Sequence, residues 1–548
     1  MQQLTGLDQM FLSLETDTTD SQIGCLLLFT RPAEGQPLPD EAFMRNRLQE
    51  RLPYIPPLHR KYLKSPLGLD YGYLAIDDRI DVTKHLSTIR LPSPGTKEQL
   101  VAEINRMMGI PLSVDDGPMW QYTVIEGLED GGIAHFLRIH HLVIDGSSVP
   151  VLWNLLSDHP REPLLAPERT ANVVEPVMGK AEMVARELLN TAQKPFRMAA
   201  LQAEMLHWVK RRYPEEGLLF PVALAARMMP SALGRTVASV VNLRQRAAGK
   251  GEVAPYFPVV RAPDTPFAGK QGTKRTFWYN EMPLADLKEV GKANGATLND
   301  VVNAVAAGAV RRYLDRRGVL TDKPLIINCP VSLRGEVDST HKERWANHVF
   351  MMFALFPTHL ADPLERLAFA RKEFASAKSN WDAMPVEMMR DMSRYMPAEM
   401  MMALMGTLAK LPGKMQRIWW NVVISNVKGP REPDFFNGLE AIANVPASFM
   451  SVGGGLNITL QSYGEKVWFG YLGAPEQVGD LAPFADDMVA ELEELKRATR
   501  QAQSARATGT GTPRQPGRPR STDPSARARH AETNQLEADT ELPAVGSP

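Results

Sequence analysis

The run that could do chemistry in this chain is His140-His141-Leu142-Val143-Ile144-Asp145-Gly146. It closes an apolar stretch that reads as β-strand, and strand ends are where α/β proteins place functional groups. Histidine is the natural general base near neutral pH. Asp145, four residues past His141, can fold back through the turn to hold the loop or the ring. Gly146 admits a backbone angle or a close approach that a side chain would forbid. Adjacent strand side chains point to opposite faces, so one of the two rings is expected to reach a cleft. The plainer alternative is a structural histidine pair at a strand–loop corner. A metal centre on His140, His141 and Asp145 is disfavoured, because the rings diverge and no nearby Glu or Cys completes a ligand set.

Other chemistries lack their residues. There is no GxSxG elbow, no GxxxxGK[ST] phosphate loop, no GxGxxG fingerprint and no CxxC pair. With no serine or cysteine nucleophile framed, direct transfer assisted by a single base is more economical than a covalent intermediate. Cys25 and Cys329 are the only cysteines, too few for a Cys-based zinc site or a disulfide framework, and a reducing cytosolic setting is the simple reading. The 62 Lys and Arg balance 63 Asp and Glu, which argues against nucleic-acid binding along the whole chain. No window is apolar for long enough to span a bilayer, and the acidic N-terminus lacks the basic start of a secretory signal.

Two α/β regions are available to position the histidines. In residues 1–159, SQIGCLLLF reads as a strand, KEQLVAEINRMMGI as a helix, and GGIAHFLRIHHLVID as two short strand runs entering a turn. SSVPVLWNLLSD then opens as a helix capped by Ser147 or Ser148. Residues 160–272 carry helical stretches interrupted by Pro195 and Pro214 and read as a helical linker or lid. Residues 273–499 return to alternation. TKRTFWYNEMP, KPLIINCPVSLR, ANHVFMMFALFP, RIWWNVVISNV, GLNITLQSYG and KVWFGYLG read as strands. LADLKEVGKANG and TLNDVVNAVAAGAVRRYLDRRG read as helices, the second capped near Thr297–Asn299. The closing helix is expected to bury Met488, Val489, Leu492 and Leu495 on one face. Residues 500–548 lack aromatic residues and are expected to be disordered.

HHLVIDG resembles the HHxxxDG signature of the CoA-dependent acyltransferase superfamily, whose fold is that of chloramphenicol acetyltransferase and which includes peptide-synthetase condensation domains. The order of further segments narrows the resemblance. LTGLDQMFLSLETD, PLSVDDGPMWQYTVIEGL, KANGATLNDVVNAVAAGAVRRYL, NCPVSLR, ANHVFMMFALFP, VISNVKGP and GLNITLQSYG follow the pattern of bacterial wax ester synthase/diacylglycerol acyltransferases. The likeness covers about residues 4 to 498. It implies an α/β fold of two chloramphenicol acetyltransferase-like mixed-sheet halves, with the active site between them, a helical connector and the C-terminal tail.

The activity implied is transfer of a long-chain fatty acyl group from acyl-CoA to diacylglycerol or a fatty alcohol, giving triacylglycerol or wax ester. His141 would be the general base and His140 its support. Asp145 would be structural, paired with Arg334. Asn299 and Asp300 match the family's ND motif, which either orients the catalytic groups or simply caps a helix. Ser425 and Asn426 would line the cleft, with a structural turn as the alternative for them. The triplet PLW appears as Pro118-Met119-Trp120, and Ser113, Ala346 and Lys428 also depart from the pattern, which bears on acceptor choice and turn geometry. No cofactor or metal is implied, with acyl-CoA as co-substrate. The implied partners are a membrane or lipid-droplet surface, reached peripherally from the cytoplasm, and no nucleic acid. A homodimer is compatible with the pattern. A carrier-protein-dependent condensation enzyme and a non-catalytic lipid-binding or droplet protein are the rival readings.

Two segments suit lipid. LQAEMLHWVKRRY, residues 201–213, has an apolar face and a basic end at Lys210-Arg211-Arg212. Ten methionines fall between Met384 and Met415, and their flexible thioethers can repack around varied chains, although such a stripe also suits ordinary core packing. Burial of a sixteen-carbon chain at about 0.8 kcal/mol per methylene supplies on the order of 10 kcal/mol before entropy losses.

Overall fold

A computed structural model describes residues 1–77, 80–115, 119–161, 178–212, 262–269, 271–332, 345, 347, 349–382, 420–450 and 454–508. Arg334 and the methionine-rich stretch from Met384 to Met415 lie outside the described residues. Met1–Thr499 forms one compact unit.

Up to residue 150 the strands are β1 (Gln2–Gln3), β2 (Gln22–Phe29), β3 (Arg60–Leu63), β4 (Tyr73–Ile76), β5 (Leu86–Arg90), β6 (Trp120–Glu126) and β7 (Ala134–His140). Beyond residue 270 they are β8 (Thr276–Pro283), β9 (Leu325–Ser332), β10 (Val349–Phe356), β11 (Val422–Val427), β12 (Phe435–Phe436), β13 (Leu439–Ala447), β14 (Leu456–Tyr463) and β15 (Lys466–Gly473). Among the described residues they form two six-stranded mixed sheets and a small three-stranded one. The first large sheet has the order β12-β13-β2-β7-β6-β5 and the second β10-β9-β11-β14-β15-β8. In the first, only β5 and β6 pair in parallel; in the second, β9, β11 and β14 do. Every residue of β7 is buried, as expected of a strand covered on both faces.

Two strands cross the boundary expected near residue 273. β13 pairs antiparallel with β2, from Ala447 against Gly24 to Ala441 against Phe29, with a bulge that leaves Ile442 43% exposed. The C-terminal region thus supplies an inner strand to the N-terminal sheet. Pro446 hides this strand in the sequence, since proline usually marks edges. The two sheets come together here. A side chain at Gly470 of β15 would put its Cβ 1.7 Å from the Pro446 carbonyl oxygen, so only glycine fits.

Helices cover the sheets with local caps. Lys97–Met108 and Leu298–Arg316 each open with a capping box, Thr96 with Gln99 and Thr297 with Asp300. In the closing helix, Ala482–Ala507, Met488, Leu492 and Leu495 are buried, but Val489 is 41% exposed. One residue's rotation carries it about 100° away from the stripe its neighbours share. AHFLRIH forms one strand rather than two, and the helix Lys180–Arg212 runs through Pro195 rather than stopping there. That proline removes a single N–H donor on an exposed surface, a loss a long helix absorbs as a local defect.

Candidate active site

β7 ends at His140, opposite Gln22 of β2. The next residue, His141, donates its backbone N–H to the Ser21 carbonyl at 2.8 Å, which fixes the chain as it leaves the sheet. Its ring stacks on Phe11, with centroids 4.0 Å apart and 10° between planes, and meets Phe449 edge-on at 5.5 Å. Phe11 sits on the helix Gly6–Ser13, and Phe449 lies just beyond β13. The ring is therefore held between segments from opposite ends of the chain.

Hydrogen bonding fixes its tautomer. Nδ1 lies 2.9 Å from Oδ1 of Asn347. The amide cannot be turned around, because Nδ2 of Asn347 donates to the His141 carbonyl at 2.8 Å and to Oδ1 of Asp8 at 3.0 Å, both acceptors. Oδ1 must face the ring, so Nδ1 carries the hydrogen and Nε2 offers its lone pair. Asp8 is itself held, since its Oδ2 accepts from the backbone N–H and hydroxyl of Thr5 in the capping box of that first helix. His141 is 7% exposed. Burial lowers its pKa below the ordinary 6.5, with the charge of Asp145 opposing that shift. The ring is neutral at neutral pH, the state a base requires.

His140 is committed elsewhere. Its Nδ1 accepts the Leu142 N–H at 3.0 Å, and its Nε2–H donates to Glu15 Oε1 at 2.6 Å. Glu15 also accepts the Ser21 N–H at 3.2 Å, so this ring braces the corner that anchors His141. Asp145 is fully buried. Its Oδ1 accepts the backbone N–H and the hydroxyl of Ser147, both at 2.8 Å, and its own N–H donates to the Trp345 carbonyl at 3.2 Å. The cap at this corner is thus Asp145, on the 3-10 turn Gly146–Ser148, while Ser148 makes no side-chain cap bond to the helix Val149–Leu156. An Asp carboxylate reaches N–H groups one turn on better than the shorter serine hydroxyl does here. Gly146 matters through proximity, since a Cβ there would lie 3.9 Å from His141 Nε2.

The remaining sequence candidates are tied to one another. Nδ2 of Asn426, on β11, donates to Oδ1 of Asn299 at 2.6 Å, and both residues are exposed. Asp300 is buried, and its Oδ2 accepts the N–H and hydroxyl of Thr297, both at 2.8 Å. Ser425 lies half-buried on β11 opposite Thr459. No hydrogen bond or ring contact joins any of these four to His141 among the described residues. No cluster of three His, Cys, Asp or Glu side chains able to hold a metal occurs among the described residues either.

Asp8, Phe11 and Glu15 lie in LTGLDQMFLSLETD and Asn347 in ANHVFMMFALFP, but their roles, like that of Phe449, could not be read there because each acts through a partner far away in sequence. A faint signal existed at the N-terminus, where Asp8 and Phe11 are one helical turn apart on a shared face.

Comparison with known proteins shows the family. Residues 4–302 match the wax ester synthase/diacylglycerol acyltransferase catalytic domain, and residues 345–496 match the C-terminal domain of the same family. A putative diacylglycerol O-acyltransferase of Mycobacterium tuberculosis is 30% identical over 501 residues, covering 90% of this chain and 99% of that protein. A second from the same species is 28% identical over 505 residues, covering 90% of each chain. The solved wax ester synthase/diacylglycerol acyltransferase of Marinobacter aquaeolei superposes with a TM-score of 0.61 at 25% identity, over 91% of this chain and all of that one. The first condensation domain of the calcium-dependent antibiotic synthetase shares the fold at 14% identity, with a TM-score of 0.52 over 90% of this chain and 95% of that one. The chain is an acyltransferase and belongs to the wax ester synthase/diacylglycerol acyltransferase family.

Proposed function

We propose that this acyltransferase moves a long-chain acyl group from acyl-CoA to diacylglycerol or a fatty alcohol, with His141 as the general base. The observation that carries the assignment is the Asn347 amide. It accepts the Nδ1 hydrogen and leaves Nε2 as the ring's acceptor. Nε2 takes the proton of the acceptor hydroxyl as its oxygen attacks the thioester carbonyl. The imidazolium stays hydrogen-bonded to Asn347 through Nδ1 and lies against the face of Phe11, whose π-electrons favour the positive charge. As the tetrahedral intermediate collapses, the C–S bond breaks and the Nε2 proton passes to the departing thiolate. The product is ester and free CoA. No acyl-enzyme forms and no cofactor takes part.

In this reading Asp145 and His140 are positioning residues, and Gly146 keeps the approach to Nε2 clear. Asn299, Asn426 and Ser425 act at the edge of the site rather than on the reacting atoms. Among the described residues no helix is long and apolar enough to cross a membrane. Water-insoluble acceptors then require contact with a lipid surface, and we assign the chain to peripheral association with a membrane or lipid droplet.

The test supplies the purified chain with labelled palmitoyl-CoA and either diacylglycerol or hexadecanol, beside His141→Ala. The parent is expected to form neutral lipid and the variant to lose roughly 10²–10⁴-fold in rate. Equal rates in the two would remove His141 from the mechanism. Turnover with a carrier-protein thioester alone would move the chain to condensation chemistry, and lipid binding without turnover would make it a lipid-binding protein.

A further inference from the structure

The helix Lys180–Arg212 has two unlike faces. Met183, Glu187 and Leu201 are buried on one side. At about 100° per residue, Leu188, Leu189 and Phe196 fall on the opposite side, and they are 51%, 57% and 77% exposed. Ala181, Ala185, Ala192, Ala199 and Ala203 share that outward sector and are also exposed. An amphipathic helix normally turns its larger apolar groups inward, so three large side chains in water on the outer face call for a reason.

A second apolar element is fastened alongside. The loop Ser65–Asp70 holds Leu67 and Leu69, 49% and 38% exposed. The fully buried carboxylate of Glu187 accepts the Leu67 N–H at 2.9 Å and the Leu69 N–H at 2.5 Å, one on each oxygen. Lys194 and Thr191 donate to the Leu69 carbonyl at 2.7 and 3.2 Å, and Asn190 donates to Asp70 at 2.8 Å. Removing a carboxylate from water is costly unless its hydrogen bonds are replaced. Here that burial holds two leucines outward beside a leucine- and phenylalanine-bearing helix face.

The charges indicate what meets this face. The helix carries seven basic side chains against three acidic ones, and one of the acids is the buried Glu187. Arg186 and Arg197 lie along one flank of the apolar sector, together with Glu182, paired to Arg186 at 2.9 Å, and the exposed Glu204, and Lys180 lies along the other. An anionic lipid layer receives the apolar groups between its chains, and the excess of basic over acidic residues along the helix favours its headgroups. We infer that Leu67, Leu69, Leu188, Leu189 and Phe196 form the surface by which this chain docks on anionic lipid. The inference rests on the proposed use of long-chain lipid substrates.

The test is co-sedimentation of the full chain with vesicles of equal parts phosphatidylcholine and phosphatidylglycerol, and with phosphatidylcholine alone. Two variants are compared, Leu188→Ser with Leu189→Ser and Phe196→Ser, and Leu67→Ser with Leu69→Ser. Each is expected to lose about tenfold in partitioning to the anionic vesicles, and the parent to bind them more strongly than the neutral ones. Transfer from a short acyl-CoA to a soluble alcohol should be unchanged in both, which shows that they fold and separates docking from catalysis. Parent-like sedimentation of both variants overturns the inference and leaves the catalytic proposal standing. A change of oligomeric state in size-exclusion chromatography also overturns it, by making the face a subunit contact.

Discussion

The corner after β7 and the start of the helix Leu298–Arg316 both carry motif residues, yet they use them differently. At the corner, four distant stretches converge on one ring, through Asp8 and Phe11, Ser21, Asn347 and Phe449. Among the described residues, the hydrogen bonds of His140 and Asp145 and the His141 Nδ1 hydrogen lead into structure, which singles out Nε2 as the atom aimed at chemistry. At the helix start, Asp300 closes a local capping box with Thr297, and the exposed Asn299 and Asn426 hold each other. The first arrangement fixes a tautomer, and the second fixes a helix end and its link to β11. A motif residue is thus best judged by whether its bonds leave a reactive atom unspent.

After loss of the ring itself, the largest effect should follow from removing the amide. Asn347→Ala frees Nδ1 to accept and leaves Asp8 and the His141 carbonyl without their donor, so kcat/KM is expected to fall about a hundredfold with KM little changed. A sharper variant combines Asp8→Asn with Asn347→Asp. It keeps the links from position 8 to position 347 and from there to Nδ1, gives up the bond to the His141 carbonyl, and moves the carboxylate next to the ring. In the parent, burial holds the His141 pKa below 6.5, so activity rises with pH below that value and is level above it. The carboxylate favours the imidazolium, and the rising limb of the pH–rate profile should move to higher pH. An unmoved limb would mean that Asn347 does not face the base. Gly146→Ala should come next. Its methyl group, 3.9 Å from Nε2, occupies space where the acceptor hydroxyl must approach, and about a tenfold loss in rate with parent-like thermal unfolding is expected.

Much of the frame was legible in the sequence. Apolar runs such as LIINCPVS and alternation into KVWFGYLG read as the strands they form, and Thr297 and Asp300 have the spacing of a capping box. HHxxxDG located the corner, and the diverging rings were expected. What could not be read was long-range. β13 carries Pro446 and a bulge at Ile442, which break its alternation, and its partner β2 lies more than four hundred residues away. Asp8 stands at capping-box spacing from Thr5 and Asn347 lies in ANHVFMMFALFP, but neither segment says that the two meet beside the His141 ring, because that depends on long-range packing. Val489 was misplaced for a smaller reason, since a helix stripe drawn one residue too wide takes in a neighbour on the solvent side.

The smallest effects should come from the second region, and they separate its two roles. Asp300→Ala removes a buried helix cap and is expected to cost about 1 kcal/mol, read as a lower midpoint in urea, with turnover per folded molecule retained. Asn299→Ala or Asn426→Ala breaks an exposed hydrogen bond, worth well under 1 kcal/mol where water replaces it, and stability should be parent-like. If the pair only ties the helix to β11, kcat should also stay within about threefold, as for most surface substitutions. A loss in kcat approaching that of Asn347→Ala, with stability intact, would mean that these amides reach the reacting atoms when substrate is bound. The contrast between the two regions would then describe only the empty enzyme.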